Sequence, residues 1–174
     1  MKRILCIDPG TTESGLVRLN LTEDGEYSVF SKGIVRNDEI IESFHRLNTN
    51  IVVVEMITSY GMPVGKSTFD TLILIGEIKG YCKASHIDFH LIARREVKQH
   101  LCGSTRAKDK NISQAIKDRF LPTGGGSDKY KGTKSKPGPL YGFKSHLFSA
   151  LALGISFIEG CKIYKETIDE VSGK

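Results

Sequence analysis

The apolar positions of the chain fall into short buried runs near its start and into helix-spaced patterns further along. The first run, Ile4–Ile7, is continuously apolar and stops at the turn-forming pair Pro9 and Gly10, as a central strand does. A second run, of β-branched residues, ends abruptly at Glu55 and has the same character. The strands predicted are Ile4–Ile7, Ser14–Leu19, Tyr27–Val35, Ile51–Val54 and Asp88–Ile92.

Apolar residues that recur every three or four positions predict helices between and after these strands. Ile40, Ile41, Phe44 and Leu47, for example, share one helical face. The helices predicted are Asn37–Leu47, Thr71–Ala84, Arg94–Leu101, Lys110–Phe120 and Ser145–Glu159.

The predicted elements follow a recognisable order: a three-stranded meander, a helix, a strand, a helix, a strand and further helices. Asp8 follows the first strand, and Glu55 follows the fourth. This order, with an acid at each of these strand ends, resembles the ribonuclease H plan. We therefore expect an α/β fold in which helices flank a mixed five-stranded sheet.

The length of 174 residues, with 39% hydrophobic and 26% charged residues, predicts one globular domain over residues 1–174. Residues 123–142 are glycine-rich and carry two prolines and four lysines without apolar periodicity, so we expect a mobile basic loop there. The residues from about Lys165 onward are polar, and we expect a frayed end.

The net charge of +5 and the pI near 9.0 are compatible with a polyanionic partner. No apolar run approaches membrane-spanning length, and the N-terminal run is too short for a signal peptide. The cysteines form no CxxC pair, so we expect reduced thiols in a cytoplasmic protein. They are Cys6, Cys82, Cys102 and Cys161.

Four short motifs resemble those of the RuvC-type Holliday junction resolvases, particularly the phage members, and occur in the same order. They are IDPGTTESG at residues 7–15, VVVE at 52–55, REVKQHLCG at 95–103 and SHLFSALALG at 145–154. The likeness extends over about residues 3–158. It implies a ribonuclease H-like endonuclease that cleaves Holliday junctions and other branched DNA by metal-dependent hydrolysis. It also implies that the protein acts in the cytoplasm of a bacterial or phage-infected bacterial cell.

The resemblance implies that Asp8, Glu55 and His146 form the catalytic and metal-binding trio. Phosphodiester hydrolysis needs charge neutralisation and an activated water, which divalent ions supply and carboxylates hold. Mg²⁺ is the ion expected, with Mn²⁺ as a substitute, and Asp8 would be shared by two ions. His146 would ligate an ion or position and deprotonate the attacking water.

Ser149, also a catalytic candidate by its position, departs from the family, most members of which have aspartate there. A neutral hydroxyl is a much weaker ligand than a carboxylate, so one metal site is in question. Ser149 and His146 could hold an ion partly through water, Asp128 could reach in from the glycine-rich loop, or metal affinity could be low. An inactive protein is a further alternative.

The resemblance also implies residues that contact DNA. Lys98 and Lys110 align with two basic residues near the scissile phosphate, and Lys108 is an alternative to Lys110. Tyr60 lies in a loop where the family stacks an aromatic side chain on opened bases. The glycine-rich loop adds four candidate phosphate contacts, Lys129, Lys131, Lys134 and Lys136.

Other readings stay open at this stage. Asp8 could cap a turn, Glu55 could be an ordinary strand-end acid, and the lysines could be solvated surface. A junction-binding protein that lost catalysis is one functional alternative. Another is an actin-like or sugar-kinase-like phosphate-binding domain, although such proteins use two domains and this chain is too short for both.

A homodimer is implied by the resemblance, because resolving a four-way junction takes two paired cuts and a two-fold axis places equivalent sites on opposing strands. The apolar helix Thr71–Ala84 could contribute to the interface. Its apolar positions could equally belong to the core.

Overall fold

The computed structural model describes residues 1–59, 61 and 63–160, with residues 45–47 described by their backbone alone. The described residues form one five-stranded sheet in the order β3-β2-β1-β4-β5. The first three strands form an antiparallel meander, and β4 and β5 run parallel to β1. The strands are β1 Lys2–Asp8, β2 Glu13–Leu21, β3 Tyr27–Arg36, β4 Ile51–Met56 and β5 Asp88–Ala93. The predicted mixed sheet is confirmed.

The predicted helices are also present, with shifted ends. A short 3₁₀ turn, Asn37–Glu39, precedes the first α-helix. The second begins at Lys66 rather than at Thr71. The sequence did not indicate its first turn, because that turn is exposed and carries no apolar pattern. The α-helices are α1 Ile40–Leu47, α2 Lys66–Ala84, α3 Arg94–Cys102, α4 Asp109–Lys117 and α5 Ser145–Ile158.

The core has two layers, one on each face of the sheet. Alternate side chains of a strand point to opposite faces. Ile4 and Cys6 of β1 therefore pack on the side of α3, α4 and α5, whereas Leu5 and Ile7 pack on the side of α1 and α2. Burial on both faces explains why β1 and β4 are continuously apolar.

Two glycines allow α5 to lie very close to the sheet. A Cβ on Gly154 would lie 2.5 Å from Cys6 Sγ and 2.6 Å from Leu19 Cδ1. A Cβ on Gly15, in β2, would lie 2.7 Å from the carbonyl oxygen of His146. These approaches fix the height of α5 above β1 and β2, and with it the position of its first turn.

Residues 123–142 are compact rather than extended. Gly132 N–H donates to the Asp128 carbonyl at 2.7 Å, and Leu140 N–H donates to the Tyr130 carbonyl at 2.8 Å. Leu140 is fully buried in the core. Leu140, the partly buried Tyr130 and a dense set of backbone hydrogen bonds thus anchor this irregular segment to the core, which the absence of apolar periodicity did not indicate. That the loop is mobile stays a prediction.

Cys6, Cys82 and Cys102 are free thiols, and Cys161 lies outside the described residues. None of the helices described here is long and apolar enough to cross a membrane.

Candidate active site

Asp8 and Glu55 lie side by side at one edge of the sheet. They occupy the carboxyl ends of β1 and β4, which are parallel neighbours with Ile7 paired to Val54. Both carboxyl groups are largely buried. Burial raises the pKa of Glu55 to about 7, with Arg94 lowering it and the charge of Asp8 raising it further. The two acids therefore form one electrostatically coupled site.

His146 joins this site from the first turn of α5. Its Nδ1 is 2.9 Å from Asp8 Oδ2, and with an ionised carboxylate this nitrogen is the donor. Burial raises the pKa of Asp8, and the hydrogen bond and charge of His146 oppose that rise. The imidazole is otherwise exposed, so the ring is oriented by Asp8 and open to solvent.

Ser149 lies one helical turn beyond His146 and faces the same site. Its Oγ accepts a hydrogen bond from Arg94 Nη1 at 2.8 Å. The hydroxyl also helps to lower the pKa of Asp8. Ser149, at the position where the resembled family usually has aspartate, thus contacts the guanidinium of Arg94.

Arg94 and Asp109 belong to the site although they were not predicted from the sequence. Arg94 begins α3, directly after β5, and donates to Glu55 Oε2 at 3.2 Å. Its Nη2 donates to Asp109 Oδ1 at 2.7 Å. The signal available in the sequence was that β5 is the third parallel strand of the sheet. Arg94, the residue that follows β5, therefore lies at the same edge of the sheet as Asp8 and Glu55.

The donor set fits one divalent ion better than two. Asp8 and Glu55 supply hard carboxylate oxygens at adjacent strand ends, as Mg²⁺ requires. Within residues 1–59, 61 and 63–160, however, no three His, Cys, Asp or Glu side chains form a ready-made ligand set. Asp128 does not complete one, because its carboxylate is bound to Lys117 Nζ at 3.2 Å and to the backbone N–H groups of its own loop.

A cleft of about 370 Å³ opens beside Arg94. Its charged lining is mainly basic and comprises Arg94, Lys110, Lys131, Lys144 and one acid, Asp109. Phe148 of α5 gives it an apolar side. Such a lining is suited to a phosphate backbone with an attached sugar or base.

The predicted DNA-binding residues are only partly brought together. Lys110 and Lys131 line the cleft, whereas Lys98, Lys108 and Lys134 do not. Lys98 lies on α3, Lys108 precedes α4, and Lys134 is on the exposed side of the loop. Tyr60 lies outside the described residues. Lys144 was missed, although its place directly before the SHLF motif was a usable signal.

Solved structures with this architecture are known. Thermus thermophilus RuvC matches with a TM-score of 0.64 and 18% identity, over 93% of this chain and 99% of that one. The same protein in complex with a Holliday junction substrate gives 0.66 and 17%, over 94% and 100%. Fowlpox virus resolvase, in complex with substrate Holliday junction DNA, gives 0.61 and 15%, over 90% and 97%.

No family model matches the chain, and no curated protein sequence matches it. The identities to the solved structures are low, so the likeness is one of fold. It extends over nearly the whole length of both partners and agrees with the resemblance of the four sequence motifs. The chain therefore has the ribonuclease H-like fold of the RuvC-type Holliday junction resolvases.

Proposed function

We propose that this protein is a structure-selective endonuclease that hydrolyses phosphodiesters in Holliday junctions and other branched DNA during recombination or repair. It would act as one nuclease domain spanning residues 1–174, in the cytoplasm. The observation that carries the proposal is the convergence of Asp8, Glu55 and His146, far apart in the chain, beside a basic cleft. Two proteins of the same fold have been solved with Holliday junction DNA.

Asp8 and Glu55 are the residues that would hold a divalent ion, Mg²⁺ or in its place Mn²⁺. When bound, such an ion supplies charge neutralisation at the phosphate and a more acidic water. Burial of both carboxyl groups keeps bulk water away and strengthens electrostatic interactions at the site.

His146 would ligate the ion, or position and deprotonate the attacking water. Because Nδ1 is directed at Asp8, Nε2 is the ring nitrogen left to ligate an ion or to accept the water's proton. Asp8 would thus hold the ring in the required tautomer and orientation. Ser149 would act in the same site through its contact with Arg94 rather than as a direct substitute for a carboxylate.

Lys110, Lys131 and Lys144 would guide a DNA strand along the cleft towards the acids. These contacts are to phosphate and carry no sequence information. Lys98, Lys108 and Lys134 would contact flanking arms of a branched substrate, and Tyr60 remains a candidate for stacking on an opened base.

The test is a cleavage assay on four-way, three-way, flap and linear DNA, with Mg²⁺, Mn²⁺ or chelator. We expect cutting of branched DNA only with metal, and we expect Asp8→Asn to abolish cutting while junction binding in a gel-shift assay stays within about threefold of wild type. The charge-matched control is Asp24→Asn, in an exposed turn. Undiminished cutting by Asp8→Asn would exclude this mechanism.

A junction-binding protein without nuclease activity is the second candidate, and a specific observation favours it. Arg94 neutralises part of the acidic site by pairing with Glu55, and Ser149 offers no carboxylate. The same assay separates the two, since this candidate predicts tight binding to junctions and no metal-dependent cutting by wild type.

We further propose that two chains associate through α2. Phe69 and Ile73 are 54% and 61% exposed, and Gly76 and Gly80 follow on the same face with open space above them. Glycines at this spacing allow two helices to approach closely, and the two apolar side chains would be covered by the partner. An isologous pairing of this kind places two equivalent active sites about one two-fold axis.

A further inference from the structure

Arg94 is held at the centre of the acidic site by side chains from three elements. Nη1 donates to Glu55 Oε2 at 3.2 Å and to Ser149 Oγ at 2.8 Å, and Nη2 donates to Asp109 Oδ1 at 2.7 Å. The arginine side chain is 27% exposed. A guanidinium with this set of contacts is fixed in place and is part of the site's construction.

The position of Nη1 is one that a metal ion would otherwise require. A divalent ion bound by both Glu55 Oε2 and Ser149 Oγ must lie about 2.0–2.6 Å from each oxygen. Nη1 already lies within hydrogen-bonding distance of both oxygens. A cation cannot occupy this place unless Arg94 leaves it.

The charges of the site also favour one divalent ion over two. Asp8, Glu55 and Asp109 carry three formal negative charges when ionised, and Arg94 carries one positive charge. One divalent ion would neutralise the remainder. A second would leave an excess of positive charge next to a partly buried guanidinium, at a position where Ser149 contributes no charge.

Arg94 is also placed to meet a phosphate. It lines the cleft together with Lys110, Lys131 and Lys144. Its partner Asp109 is 83% exposed, so that ion pair is weak and can be exchanged for a phosphate oxygen. Arginine binds phosphate through two parallel hydrogen bonds, which lysine cannot do.

We propose that Arg94 is the built-in second cation of this site: the protein binds one divalent ion per chain, and the Arg94 guanidinium binds the scissile phosphate where a second ion would otherwise bind. This rests on the proposed nuclease function. The charged Arg94 then accounts for the neutral Ser149, since an acid at position 149 would be needed only if a metal ion had to be held there.

The first test counts ions on the full chain without DNA, by electron paramagnetic resonance titration of free Mn²⁺. We expect wild type to bind one Mn²⁺. The double variant Arg94→Ala/Ser149→Asp frees the position and restores a carboxylate, and we expect it to bind two. Binding of none or of two Mn²⁺ by wild type overturns the proposal. This outcome is measured on wild type alone, so it does not depend on whether a variant folds.

The second test measures phosphate binding by fluorescence anisotropy of a labelled four-way junction in the presence of chelator. We expect Arg94→Ala to weaken binding by about tenfold, the loss of a charge-assisted contact, and Arg94→Lys to recover only part of it. The matched control is Arg95→Ala, which removes an exposed arginine next in the chain and is expected to change binding by less than twofold. Equal effects of the Arg94 and Arg95 variants overturn the proposal.

Neither readout depends on cleavage. A chain that binds one Mn²⁺ and uses Arg94 for junction binding, yet cuts no DNA, would contradict the nuclease function while supporting the single metal site and the contact of Arg94 with phosphate. A chain that cuts junctions with two bound Mn²⁺ would do the opposite.

Discussion

At the scale of single residues, Glu55 shows how the environment of a carboxyl group sets its chemistry. It is largely buried, next to another acid and an arginine. Burial outweighs the attraction of Arg94, so the pKa is raised from 4.5 to about 7. In the metal-free protein, Glu55 is thus protonated over a pH range in which a solvent-exposed glutamate is ionised.

This shift predicts a pH-dependent stability. Between about pH 4.5 and 7 the unfolded chain releases the Glu55 proton while the folded chain retains it, so the free energy of unfolding falls as pH rises. The loss is of the order of 3 kcal/mol and is complete above pH 7. Glu55→Gln should therefore raise the melting temperature of the chelator-treated protein at pH 8 and have little effect at pH 4.5.

The control for this prediction is Glu42→Gln, an exposed glutamate on α1. It should change the melting temperature equally little at both pH values. A Glu55→Gln variant that is less stable than wild type at pH 8 would show that the pairing with Arg94, rather than burial, dominates.

The residues of the site divide by the kind of information that identifies them. Asp8 and Glu55 could be found in the sequence because each ends an apolar run, and parallel strands bring such ends together. His146 was found through the motif around it. Arg94 could have been found by the same reasoning, because it directly follows the third parallel strand. Asp109 could not, because it begins a helix and its place in the site comes from its contact with Arg94.

At the scale of elements, the height of α5 above the sheet determines whether His146 reaches Asp8. Gly15 controls this height, because a Cβ there would lie 2.7 Å from the His146 carbonyl oxygen and 2.9 Å from its Cβ. A side chain at position 15 must push the first turn of α5 away from β2. Gly15, the last residue of the IDPGTTESG motif, is thus required for the close approach of α5 to the sheet.

We expect Gly15→Ala to lower stability by about 1–3 kcal/mol, as other overpacked core substitutions do. It should also lengthen the 2.9 Å contact between His146 and Asp8 and reduce single-turnover junction cleavage by about 100-fold. The control is Gly33→Ala in β3, where a Cβ would meet nothing within 4 Å. Wild-type cleavage by Gly15→Ala would mean that the position of α5 does not limit the reaction.

Element positions were predictable to the extent that apolar periodicity marks them. The strands and most helices have such periodicity, but the first turn of α2 does not, and its start was placed at Thr71 instead of Lys66. The anchoring of the segment 123–142 to the core was not predicted, for the same reason. That anchoring comes from backbone hydrogen bonds and from the packing of Leu140 and Tyr130, neither of which produces a repeating pattern.

At the scale of the whole molecule, the described part of the chain presents the candidate active site and, on α2, an exposed apolar helix face. Resolution of a four-way junction requires two cuts, which a single site cannot make at once. The face on α2 that carries Phe69 and Ile73 is well removed in sequence from the site residues and is exposed in the single chain. A second copy of the chain would cover it and supply the second site.

Ile73→Glu is the change that tests this arrangement, because it would place a charge on each of two facing helices and bury both. Wild type should sediment as a dimer and convert a supercoiled plasmid with an extruded cruciform to linear DNA by paired cuts. The variant should sediment as a monomer and give mainly nicked circles, since each monomer retains its own acids and cuts one strand. Phe30→Glu makes the same change at an exposed apolar residue of β3 and should leave both readouts unchanged. A wild-type protein that sediments as a monomer, or an Ile73→Glu variant that still linearises the plasmid, would place the dimer contact elsewhere or remove it.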